Sequence, residues 1–366
     1  MNLDYRHYVP CLRWKQGEYL AVSQLPDTTK HMFTPLIEIP PKGYDFEEKR
    51  EKKTIDKHLE PVAKRVRKNW GNSPCFIDLS LIESTERMEI GIHPVSFVFD
   101  KLREMRCLGI PVTGLNRDPE YQREIRTALT NDKSGVCLRI TIEQAAKSSF
   151  KTDSDSILST LGIHASDSDL ILDLGAPNFV PLGGFAMTIQ AIVTKLPYLN
   201  DWRTFTILGT SFPETMAGIK MGSEVVPRYE WRLYKILVAS FREAGLRLPS
   251  FGDYAISHPR IIDMDMRIVK PNATIKFTID DGWYIVKGNN VRDYGYEQFH
   301  ELSKQVLASR YYRDSTFSWG KEYIQQCANR RAKRGNLTKW VQVGTNHHVE
   351  KVVQDIANFY ASVNTP

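Results

Sequence analysis

At 366 residues, with 42% apolar and 25% charged side chains, the chain has the composition of a globular protein long enough for a barrel plus an extension. No run approaches the roughly 20 apolar residues of a membrane helix, and Met1-Asn2-Leu3-Asp4-Tyr5-Arg6 lacks the apolar segment of a signal peptide, so the cytoplasm is the expected location. The formal charge of +6 is uneven: between Ser309 and Trp340, Arg310, Arg313, Lys321, Arg330, Arg331, Lys333, Arg334 and Lys339 face only Asp314 and Glu322, a surplus equal to that of the whole chain.

Tyr8–Trp14 reads as a first strand, with a helix from Lys15 to about Leu25. Thr34–Pro40 is a second strand, and Glu47–Lys53 a solvated charged stretch. A helix is expected over Thr54–Trp70, where Ile55, Leu59, Val62, Ala63 and Val66 recur near helical spacing before Gly71. Cys75–Leu79 is the third strand, Pro94–Cys107 an amphipathic helix, and Pro111–Asn116 the fourth strand, followed by a helix start at Asp118-Pro119. Gly135–Thr141 is the fifth strand. The polar run Ser148–Ser156 then precedes a short helix.

The sixth strand, Asp169–Gly175, is the clearest: an apolar run that ends on Asp173 and Gly175, as strands buried on both faces of a parallel sheet do. After Gly183-Gly184 comes a helix over Ala186–Leu196. Thr204–Thr210 is the seventh strand, Val225–Ala244 a long helix, and Ser250–Ile256 the eighth strand. Eight strands alternating with helices are the number that closes a (β/α)8 TIM-like barrel, here over residues 1–258; an open doubly wound sheet is the rival. From 259 to 366 the rhythm changes. Ala273–Ile279 and Trp283–Lys287 alternate around Asp280-Asp281-Gly282 as a β-hairpin, and helical stretches follow over Tyr296–Ser309, Trp319–Arg331 and His348–Tyr360. These form a C-terminal hairpin-plus-helix extension packed on the barrel.

Carboxyl ends of barrel strands converge on one mouth, so Lys15, Glu38, Asp78, Asn116, Arg139, Asp173, Thr210 and Asp253 are the candidate site. Glu38, Asp78 and Asp173 are the candidate catalytic carboxylates, and Lys15, Asn116, Arg139 and Asp253 the candidate ligand contacts. Carboxylates facing cations can divide acid and base roles, hold a divalent metal or bind a phosphate-bearing ligand. A buried ion network has the same sequence signature. Cys11, Cys75, Cys107, Cys137 and Cys327 have no metal-binding spacing and suit small buried hydrophobes, so no zinc site is read from them; no Gly-rich phosphate loop, His-Glu-x-x-His or Gly-x-Ser-x-Gly motif is present, which leaves the cofactor open. His347-His348 point about 100° apart on a helix, which disfavours shared chelation, and fit the start of the last helix. In the basic stretch, Arg310, Arg313, Arg330, Arg331 and Arg334 stand among Tyr311, Tyr312, Trp319, Tyr323 and Trp340. Such a stretch suits an acidic protein partner or single-stranded nucleic acid, and equally an amphipathic helix with solvated cations.

Tyr8–Glu18, Pro35–Pro40, Leu172–Gly175, Phe251–Ala255 and Gly335–His348 together resemble the Beta protein family of bacterial prophages and satellite phages. The resemblance implies a component of a phage-defence module that binds and antagonises or regulates a toxic effector protein encoded by a neighbouring gene. It brings no catalytic residues with it. An enzyme of the barrel mouth, hydrolysing or sensing a phosphate-bearing small molecule or nucleotide, and a nucleic-acid-binding protein remain the alternatives.

Overall fold

The computed structural model describes residues 4–46, 48–262, 268–313 and 316–363. Eight strands close a parallel barrel: β1 (Tyr8–Leu12), β2 (Leu36–Glu38), β3 (Cys75–Asp78), β4 (Gly109–Thr113), β5 (Val136–Thr141), β6 (Ser168–Asp173), β7 (Thr204–Leu208) and, after one strand outside the barrel, β9 (Ser250–Asp253). Each barrel strand pairs with the next, and β9 pairs with β1 through Tyr8↔Phe251 and Pro10↔Asp253, which settles the barrel against the open sheet.

Alternation along each strand sorts the side chains. Val9, Cys11, Leu36, Phe76, Ile110, Val112, Cys137, Ile171 and Leu208 fill the barrel with an apolar core. The opposite parity, including Tyr8, Leu12, Ile37, Ile77, Leu138, Leu170, Leu172 and Ile207, packs outward on the surrounding helices. Two residues beyond Leu36, Phe76, Cys137 and Ile171 lie Glu38, Asp78, Arg139 and Asp173, so the same inward parity that builds the core ends in a charged top layer. All five cysteines are buried and unbridged.

Several local expectations are corrected. Thr54–Trp70 is two helices, Ile55–Leu59 and Val62–Asn69, because Pro61 carries no N–H to continue the first. The charged stretch after Tyr44 holds a small ribbon, Tyr44–Asp45 with Arg50–Glu51; Glu47 lies outside the described residues, as does Asp314 of the basic stretch. Most of the polar run 148–156 lies inside a helix, Phe150–Leu161, with Phe150, Ile157, Leu158 and Leu161 buried on one side. Gly183 and Gly184 belong to the first turn of the Leu182–Val193 helix. Val225 and Val226 lie in a strand, β8 (Gly222–Pro227), and the helix begins only at Tyr229.

Strand β8 completes a three-stranded antiparallel sheet with the hairpin β10 (Asn272–Ile279) and β11 (Gly282–Asn290), in the order β8-β11-β10. The sheet therefore takes one strand from the middle of the barrel sequence. Against it pack the Gln298–Ala308 and Trp319–Ala328 helices, enclosing a second core around Phe277, Phe299, Ile324 and Trp340.

One 27-residue helix, Leu337–Val363, ties both parts together. Trp340 and Val343 belong to the second core, while Val349, Val352, Ile356 and Tyr360 belong to the barrel. Its crossing with the Gln16–Ser23 helix requires glycine: a Cβ on Gly17 would lie 2.6 Å from Val341 Cγ1. A Cβ on Gly344 would likewise lie 2.8 Å from Ile256 Cδ1.

Candidate functional site

Arg139 is the centre of the barrel mouth. It leaves β5 facing inward, and its guanidinium rises through the end of the barrel to meet residues from four other strand ends. Nη1 donates to Glu38 Oε1 and Asp78 Oδ2, both at 2.8 Å, and Nε donates to Asp173 Oδ2 at 2.9 Å. Nη2 donates to the Tyr254 hydroxyl at 2.9 Å, and that hydroxyl donates in turn to Asp173 Oδ2 at 2.6 Å. Two further arginines complete the charge balance. Arg117 Nη2 lies 3.5 Å from Asp78 Oδ1, and Arg13 Nε lies 3.8 Å from Glu38 Oε2. Three carboxylates thus meet three guanidinium groups.

Local turns set the carboxylates in place. The Ser80 N–H donates to Asp78 Oδ1 and the Gly175 N–H to Asp173 Oδ1, each at 2.8 Å, so each aspartate terminates its own strand while facing Arg139 with the other oxygen. Only a thin edge is open: the side chains of Arg139 and Asp173 are 11% and 12% exposed, and Asp78 is fully buried.

Burial outweighs Arg139 at Glu38 and raises its carboxyl above the usual range. At Asp78 burial also pushes upward, but Arg117, Arg139 and the Ser80 N–H together hold the carboxyl below its ordinary value. Burial would discharge Arg139; Tyr254, Asp173 and Asp78 keep it firmly protonated. The arrangement is a closed ion network of three carboxylates and three guanidinium groups.

Four of the expected residues, Glu38, Asp78, Arg139 and Asp173, are therefore brought together, and four are not. Asp253 has the parity opposite to Tyr254 and faces out of the barrel. Its Oδ1 accepts from the Tyr8 hydroxyl at 2.5 Å and from the Ala255 N–H, and its Oδ2 accepts from His348 Nε2 at 2.9 Å. His348 Nδ1 accepts from the Thr278 hydroxyl at 2.9 Å, so a fully buried chain runs from the barrel through the long helix to β10.

Lys15 is exposed at the start of the first helix. Asn116 is exposed on the wall of a cavity of about 330 Å³ beside Arg117. Thr210 is buried and accepts from the Phe212 N–H at 2.9 Å. Arg13, Arg117 and Tyr254 take the places expected of Lys15, Asn116 and Asp253. Strand parity signals two of these: Arg13 shares the inward phase of Cys11, and Tyr254 cannot face inward together with Asp253. Arg117 sits in a loop, where no periodicity applies.

His347 and His348 lie within the long helix, both buried. His347 donates through Nε2 to the Thr278 carbonyl at 2.9 Å and accepts from the Ser318 hydroxyl at 3.1 Å; burial lowers its pKa to about 3, so the ring is neutral. Among the described residues, no group of three or more His, Cys, Asp or Glu is placed to hold a metal ion, and no helix is long and apolar enough to cross a membrane.

The five arginines of the basic stretch fall into two groups at opposite ends of the Trp319–Ala328 helix, roughly 15 Å long at 1.5 Å per residue. Arg310 and Arg313 line a recess of about 170 Å³ with Tyr311, Phe317 and Lys351. The Arg310 guanidinium lies 5.1 Å from the Tyr311 ring centre. At the other end, Arg330, Arg331 and Arg334 are exposed on the turn before the long helix, with Arg334 paired to Glu297.

No curated protein matches the sequence. The profile described as Beta protein matches residues 8–354, taking in the barrel, the added sheet and most of the long helix. The chain belongs to the Beta protein family.

Proposed function

We propose that this protein is a cytoplasmic binding component of an antiphage defence module carried by a mobile element, antagonising or regulating a toxic protein encoded beside it. The observation that carries the reading is the recess on the added unit, whose lining has Arg310, Arg313, Lys321 and Lys351 with Asp280 beside Tyr311 and Phe317. Arginine and tyrosine are the residues that most often anchor protein interfaces, and a positive recess steers an acidic partner toward it. The mouth supports the same reading, since Arg139 engages all three of its carboxylates in a network internal to the barrel.

Co-expression with the neighbouring gene's product tests this. A complex should purify, and cells should be protected from the toxic partner. Arg310→Glu with Arg313→Glu should abolish both while leaving the fold intact. Unchanged binding and protection in that variant, or recovery of nucleic acid in place of a protein, would overturn the reading.

A second reading, an acid–base site acting on a phosphate-bearing small molecule, is favoured by one feature: Glu38 is a carboxyl with a raised pKa beside Arg13. In that case Glu38→Gln abolishes protection without weakening the complex.

A further inference from the structure

A cavity of about 590 Å³ opens where the barrel, β10 and the long helix meet, within the size range of sites for small organic ligands. Phe212, Ile256 and Trp340 form apolar wall. Among the described residues its charged lining is Arg13, Lys276, Arg260 and Lys270, with Glu214. Lys276 enters from β10. Its ammonium donates to the Ile256 carbonyl at 3.1 Å and stands 4.7 Å from the centre of the Phe212 ring. An ammonium has three donors, and that carbonyl takes one.

No carboxylate among the described residues forms an ion pair with Lys276. The carboxylate acting on it is Glu18, itself buried and hydrogen-bonded to the Lys15 N–H at 3.1 Å to cap the first helix. Burial lowers the Lys276 amine to about 8. Arg13 adds a second positive charge on the same wall, held by the Pro259 carbonyl at 2.6 Å. An ammonium beside apolar wall, with no ion-pair partner among the described residues, is what a preformed anion site presents.

We propose that this cavity binds an amphipathic anion, an aromatic or aliphatic body bearing one carboxylate, sulfonate or phosphate group, with the Lys276 ammonium as its charge partner. The inference is independent of the protein-binding recess, which lies on other residues. Because Arg13 also reaches Glu38 in the mouth, a bound anion would draw on a side chain shared with the barrel network.

Fluorescence titration of the full chain with anilinonaphthalene sulfonate and with its uncharged relative phenylnaphthylamine tests the proposal. The sulfonate should bind once per chain and at least about ten-fold tighter than the neutral probe, the difference expected of one charge-assisted contact. Lys276→Met and Lys276→Gln should each erase that preference, Lys276→Arg should keep most of it, and Thr274→Trp, which narrows the cavity, should weaken both probes. Circular dichroism melting confirms the fold of each variant. Absence of saturable binding to the native protein, or a sulfonate preference that survives in both Lys276→Met and Lys276→Gln, would overturn the proposal.

Discussion

Replacing Arg139 by methionine removes the side chain that, among the described residues, touches Glu38, Asp78 and Asp173 at once, at 2.8 Å in each case. Arg13 and Arg117 remain, at 3.8 and 3.5 Å, so three carboxylates would face two more distant cations. Stripping one partner from a buried ion pair costs about 3–5 kcal/mol, because the other charge stays desolvated. Three carboxylates would raise that figure, while the open edge at Asp173 and proton uptake by Glu38 lower it. We therefore predict a loss of about 4 kcal/mol in urea unfolding at pH 7.5, roughly a thousand-fold in the folded-to-unfolded ratio.

The pH dependence supplies a second signature. Without Arg139 the carboxyls of the folded state are pushed upward by burial and by one another, so the variant fold binds protons that the unfolded chain does not. Its stability relative to the native protein must then rise as pH falls from 7 toward 5. Adding Glu38→Gln to Arg139→Met should cost less than the sum of the single changes, since one unpaired charge has been removed. A loss under about 1 kcal/mol, with strict additivity, would refute the closed network, because that is the scale of a solvated surface pair.

Three further outcomes concern Glu230, Asp253 and Gly17. Glu230 is buried, and desolvation raises its carboxyl to about 7, while the Ser211 hydroxyl and N–H donate to Oε2 at 2.6 and 3.0 Å. Its folded pKa exceeds the unfolded value, so its contribution is present at acid pH and lost as pH rises through about 7; in Glu230→Gln the decline in stability between about pH 5 and 7 should flatten, as measured by thermal melting across that range. Asp253→Ala leaves His348 Nε2 and the Tyr8 hydroxyl buried without their acceptor, and should cost at least about 2–3 kcal/mol in urea unfolding. Gly17→Val forces the first helix away from Val341 and should cost about 1–3 kcal/mol on the same assay, whereas valine at the exposed Gly183 should cost less.

The barrel was legible because each of its strands is a short apolar run closed by turn residues, and because period-two alternation survives in runs such as Phe76/Asp78 and Ile171/Asp173. Strand β8 was not legible. It is largely exposed and owes its pairing to the hairpin far along the chain, while Val225 and Val226 merge in sequence with the helix that follows. The start of the long helix was hidden by Gly344, Thr345 and Asn346, poor helix formers that tertiary packing holds helical: Gly344 for close approach to Ile256, and Asn346 through a hydrogen bond from the Gly320 N–H.

At the site, residue type marked the strand ends, but parity was the better guide, since it separates Tyr254 from Asp253 and places Arg13 beside Glu38. The basic stretch shows the reverse difficulty. Its arginines share one basic stretch of the sequence, yet a helix divides them into a recess and a separate turn.

The central claim, a protein-binding recess on the added unit beside a barrel whose mouth is structural, rests most directly on one measurement. Isothermal titration of the purified chain with the neighbouring gene's product, from low to moderate salt, should show binding that weakens as salt rises. Glu38→Gln should leave that affinity unchanged, and Arg310→Glu with Arg313→Glu should remove it. Loss of binding on Glu38→Gln, with full binding by the recess variant, would contradict the account.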